Sequence, residues 1–138
     1  MNHYILSATS LFLLFPLFTF FNKIQKNIYE TILAGLLIIN ILLSFLFWIN
    51  PIEKCFVHKL DGIFGKISFV FFSIYTLLIK DLDYIFKLIC WICFTIILYL
   101  FYWSSICSSN EWCCNNHLFC HSLFHLFISI ACMLTFTM

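Results

Sequence analysis

The chain has 138 residues, of which 64% are hydrophobic, 21% aromatic and only 9% charged, whereas soluble proteins carry roughly 25% charged residues. Six acids and seven lysines, with no arginine, leave a net charge of +1, and no basic run resembles a phosphate-binding patch, so nucleic-acid binding is excluded. A mean hydropathy of +1.05 leaves one class, a polytopic membrane protein: an all-α bundle forming a single transmembrane domain over 1–138.

Apolar runs long enough to cross a hydrocarbon layer of about 30 Å occur five times. The first, 4–21, contains Pro16, which a membrane helix tolerates as a kink. A cleaved signal peptide is the competing reading, but no lysine precedes the run and no small-x-small site follows it. The second, 31–49, is stopped by Asn50-Pro51; the others are 61–79, 84–103 and 118–138. The last is expected to end the chain without a tail. The connections are then 22–30, 50–60, 80–83 and 104–117, and the four-residue Lys80–Asp83 link makes the third and fourth helices antiparallel neighbours.

Placing the N-terminus outside puts Lys23, Lys26 and Lys80 in the cytoplasm, with Lys87 snorkelling to the same side, against Lys54, Lys59 and Lys66 opposite. The positive-inside rule prefers this extracytoplasmic N-terminus by a narrow margin. The wealth of Phe, Ile, Asn and Lys without arginine carries the signature of an AT-rich coding bias, so much of the phenylalanine is apolar filler.

Ionisable groups inside a span cost a few kcal/mol each and usually face the bundle interior. The fifth helix opens with His117, His121 and His125. At about 100° and 1.5 Å per residue, His121 and His125 point within about 40° of each other and lie about 6 Å apart, a spacing at which two imidazoles hold one metal ion. Ser129 and Cys132 extend the stripe. The bland alternative is three interfacial, hydrogen-bonded rings; it suits His117, while His125 lies about two turns in and needs a partner.

In an up-and-down bundle the end of the second helix and the starts of the third and fifth share one membrane face. Asn40, Ser44 and Trp48 form one polar stripe there, and His58, Asp61, Gly65 and Ser68 form another. The alternative for Asp61 is a helix N-cap, which acids also favour.

These residues resemble a known pattern. His121-Ser122-Leu123-Phe124-His125 is similar to the His-x-x-x-His motif of the superfamily containing alkaline ceramidases and the progestin and adipoQ receptors. Its members are seven-helix membrane proteins, known or suspected zinc-dependent lipid amide hydrolases, with Ser-x-x-x-His near the end of the second helix and Asp early in the third. Ser44 matches the serine and Asp61 the aspartate, but Trp48 stands where the family places a histidine, and two helices are missing. The resemblance implies Zn²⁺ held by His121 and His125, with His58 replacing the absent third ligand, and a zinc-bound water of lowered pKa. It further implies Asp61 orienting or deprotonating that water, Ser44 donating to an oxyanion, and a lipid amide or ester entering from the bilayer. A relative that has lost catalysis fits the same residues.

Of the eight cysteines, Cys90, Cys93 and Cys132 read as packing residues. Cys107, Cys113, Cys114 and Cys120 cluster at the entrance to the histidine helix. An extracytoplasmic face favours a disulfide among Cys107, Cys113 and Cys114; a cytoplasmic one favours a structural zinc site, with Cys55 as a further ligand. The rival to the hydrolase is a non-enzymatic structural, assembly or channel-forming membrane protein whose polar stripes hold helices together. Membrane lipids are the expected partners, and a homo-oligomer is left open.

Overall fold

The computed structural model describes residues 3–52 and 55–137; Lys54 and Met138, both counted above, lie outside the described residues. There are five helices, each long and apolar enough to cross a membrane, and no strand among the described residues: α1 (Tyr4–Asn22), α2 (Ile28–Ile49), α3 (Phe56–Ile79), α4 (Tyr84–Asn110) and α5 (Asn115–Thr137). The protein is an all-α bundle of multi-pass membrane character.

The helices run past the apolar stretches because polar side chains cap and continue them. Asn27 accepts a hydrogen bond from the Glu30 amide and starts α2 at Ile28, ahead of the expected Thr31. Cys55 accepts from the His58 amide and starts α3 at Phe56. Asp61 therefore lies inside the helix, and the N-cap reading of it is corrected. Beyond Trp103, Ser108 and Ser109 both bond the Ser105 carbonyl and α4 continues to Asn110. Chain reversal into α5 needs the positive φ of 60° at Cys113, and Cys114 accepts from the His117 amide at 3.4 Å. No disulfide joins any of the eight cysteines; Cys113 and Cys114, two of the three that an extracytoplasmic face would favour for a disulfide, build this turn.

Lipid tails are as apolar as the core, so close packing and interhelical hydrogen bonds hold such helices together. In α1, Pro16 has no N–H for the Phe12 carbonyl four residues back. The helix tightens into a 3₁₀ turn over Leu11–Leu13, and the Phe12 carbonyl accepts the Ser129 hydroxyl of α5 at 2.7 Å. In α3 the last turn widens to a π-helix over Tyr75–Ile79, with the Lys80 N–H on the Tyr75 carbonyl at 2.7 Å. This turn buries Tyr75 and Thr76, and Thr76 meets Thr135 of α5 at 2.8 Å.

α5 packs against both α1 and α4, and α2 packs against α1 and α3. α3 and α4 meet chiefly at Tyr75–Ile79, beside their short connector. On that face Glu30, read above as the edge of a loop, is buried with its side chain 3% exposed. It pairs with Lys23 at 2.5 Å and Lys80 at 3.6 Å, and accepts from Asn27 and from the Tyr75 hydroxyl, each at 2.8 Å. Lys80 also donates to the Thr135 carbonyl at 2.6 Å, so one carboxylate ties together the approach to α2, the end of α3 and the end of α5. Burial pushes the Lys80 ammonium down from its ordinary value, and the Glu30 carboxylate pulls it back up.

Candidate functional site

The opposite half of the bundle holds the predicted site residues. Ser44 of α2, Asp61 of α3 and His121 with His125 of α5 all line one cavity of about 100 Å³. Asn40, Gly65 and Ser68 lie in the same wall, and the rest is apolar, including Leu13, Phe69, Phe94, Ile97 and Phe124. Helical periodicity places Asn40 and Ser44 on one face of α2, and Asp61, Gly65 and Ser68 on one face of α3. Packing turns both faces toward α5.

Most of the polar atoms are spent on one another. Thr9 of α1 is hydrogen-bonded to His125 Nδ1 at 2.9 Å, while His125 Nε2 lies 3.5 Å from the Ser44 hydroxyl. Ser104 of α4 meets His121 Nδ1 at 3.0 Å. Asn40 donates through Nδ2 to the Ser68 hydroxyl at 2.5 Å and to the Leu36 carbonyl at 2.8 Å. Sequence reasoning missed Thr9 and Ser104, since a lone hydroxyl in a membrane helix carries little signal. Asp61 is the exception, making no hydrogen bond or ion pair among the described residues.

His58 is not in the cavity wall. Its ring stacks on Phe47 with centroids 4.8 Å apart and an interplanar angle of 6°, beside Trp112 at 5.2 Å. Trp48, standing where the resemblance implies a histidine, is buried against the rings of His121 (5.1 Å), His117 (5.8 Å) and Trp112 (5.9 Å). Its indole N–H has no hydrogen-bond partner among the described residues. His117 accepts from the Cys113 amide at 3.1 Å through Nδ1, in keeping with a capping role near the interface.

The donor set was expected to hold zinc. Among the described residues no three His, Cys, Asp or Glu side chains are grouped to hold a metal ion. A catalytic zinc takes three protein ligands, whereas here His58 lies against Phe47 outside the cavity wall, and His121 and His125 are left as a pair of imidazoles there. This arrangement does not fit a zinc centre. What it offers is a cavity with a few polar side chains among apolar ones.

Comparison with family models, with curated proteins and with solved structures finds no match for the chain.

Proposed function

We propose that this multi-pass membrane protein binds a lipid amide or ester in the cavity between α2, α3 and α5, as a reduced, metal-free relative of the ceramidase-like membrane hydrolases. The observation that carries this reading is the meeting of Ser44, Asp61, His121 and His125, from three helices, around one largely apolar cavity. A lipid carbonyl can accept from the Ser44 hydroxyl, and a headgroup N–H or O–H can donate to Asp61. Both interactions strengthen where water is scarce. The side chains on the cavity wall support binding of such a lipid.

The second reading, a structural protein, is favoured by the pairing of Thr9 with His125, Ser104 with His121 and Asn40 with Ser68. Each pair joins two helices, and such bonds contribute about 0.6–2 kcal/mol apiece.

A photoreactive N-acyl amide, crosslinked to the protein in lipid nanodiscs and mapped by mass spectrometry, separates the readings. Lipid binding gives labelled peptides from α3 and α5 around Asp61 and His121, reduced in Ser44→Ala and Asp61→Asn. Labelling spread evenly over the lipid-facing surface and indifferent to both changes would leave only the structural role.

A further inference from the structure

We infer that the cavity is entered from the bilayer through the gap between α3 and α4, over Gly65, and that it selects headgroups that donate hydrogen bonds and carry no negative charge. The inference rests on the lipid-binding reading above.

The entry route follows from how α3 and α4 diverge. Their connector and the Tyr75–Ile79 turn hold them together at one membrane face. Further along, Phe69 and Phe94 meet edge to face with centroids 5.6 Å apart. Beyond that ring pair α4 meets α5 through Phe101 with Phe124 and Ser104 with His121, and α3 contributes Gly65 and Asp61 to the cavity wall. Gly65 is exposed while Ser68, on the same face, is buried. The missing side chain matters here, because a Cβ at Gly65 would meet only the Asn40 side-chain oxygen Oδ1, at 4.0 Å. A larger residue fits the backbone but fills the gap. The cleft lies within the spanning segments, so the molecule at its mouth is a membrane lipid.

Selectivity follows from which polar atoms remain unsatisfied. Asp61 has no partner among the described residues, and Asn40 has spent its N–H groups on Ser68 and Leu36, leaving its oxygen beside Gly65. No lysine lines the cavity; Lys59 and Lys66 of α3 are exposed. At Asp61 and Asn40 the wall thus offers acceptors that need donors. A phosphate headgroup would sit beside the Asp61 carboxyl without a counter-cation, an arrangement that low-dielectric surroundings penalise.

The test uses the intact chain in nanodiscs with diazirine lipids of one acyl chain and three headgroups: a neutral N-acyl ethanolamine, a primary alkylamine and anionic phosphatidic acid. The expected result is cavity labelling by the first two at about ten times the level of phosphatidic acid, with chain-end labels on the α3 and α4 peptides containing Gly65, Phe69 and Ile97. Gly65→Leu should cut labelling about tenfold, as a side chain that blocks the mouth requires, while Gly62→Leu, on the same helix outside the cavity wall, should not. Asp61→Asn should narrow the headgroup discrimination. If Gly65→Leu fails to fold, the chain-end label in the unaltered protein still decides the route. Equal labelling by all three headgroups overturns the selectivity. Cavity labelling with chain ends on α1 or α2 overturns the route and leaves the site standing. Absence of any cavity labelling overturns the lipid reading itself and the inference with it.

Discussion

The Ser129 hydroxyl of α5 donates to the Phe12 carbonyl of α1 across 2.7 Å, and that carbonyl is available because the residue four positions later is Pro16. Ser129→Ala should therefore remove this interhelical bond and destabilise the bundle by about 1 kcal/mol. Adding Pro16→Ala supplies an amide to the same carbonyl, so the double variant should lose less than the sum of the single changes. Unfolding in mixed SDS and detergent micelles measures this cycle, and strictly additive effects would show the two residues to be unconnected.

Glu30 accepts from Lys23, Asn27 and Tyr75 and forms an ion pair with Lys80 at the opposite face. Removing it strands two ammonium groups, but Lys23 keeps 22% of its side chain exposed and Lys80 10%, so solvent screens part of the loss. Glu30→Ala should cost roughly 1–3 kcal/mol, and Asn27→Ala about 1 kcal/mol through the lost cap. Lys26→Ala should be nearly neutral, since Lys26 bonds the exposed Lys23 carbonyl. A Glu30→Ala protein as stable as the unaltered one would remove the clamp from this account.

Thr9 and His125 should be coupled. Thr9→Val removes the hydroxyl from His125 Nδ1 and is expected to cost about 0.6–1.7 kcal/mol, with most of that penalty absent when His125 is already alanine. The same unfolding assay reads the coupling, and a full Thr9→Val penalty in the His125→Ala background would contradict it.

Chelation should leave the protein intact. With no three donors grouped among the described residues, EDTA treatment should not move the thermal midpoint. Zinc content should be equally low in the unaltered protein and in the His121→Ala/His125→Ala double variant. One zinc per chain, lost in the variant, would restore the metal-centre reading.

The five spans were legible because about 20 apolar residues are what a bilayer requires and lipid imposes that on the chain locally. Asn27-x-x-Glu30 is also a local pattern, close to a capping box; the hydropathy reading passed over it and placed the start of α2 at Thr31. The overhang of α4 to Asn110 was harder to see, since serines that bond their own helix carbonyls look like loop residues in a sequence.

Periodicity also showed that Ser44, Asp61, His121 and His125 sit on polar faces of their helices, because a helix repeats every 3.6 residues whatever surrounds it. Which faces meet is a different question, decided by side-chain volumes and hydrogen bonds between segments far apart in the chain. Only the tertiary structure drew Asp61 and the histidines to one cavity, laid His58 against Phe47, handed the histidine nitrogens to Thr9 and Ser104, and buried Glu30. A one-dimensional pattern specifies the direction a side chain takes from its own helix, and the neighbour it finds there depends on how the whole bundle packs.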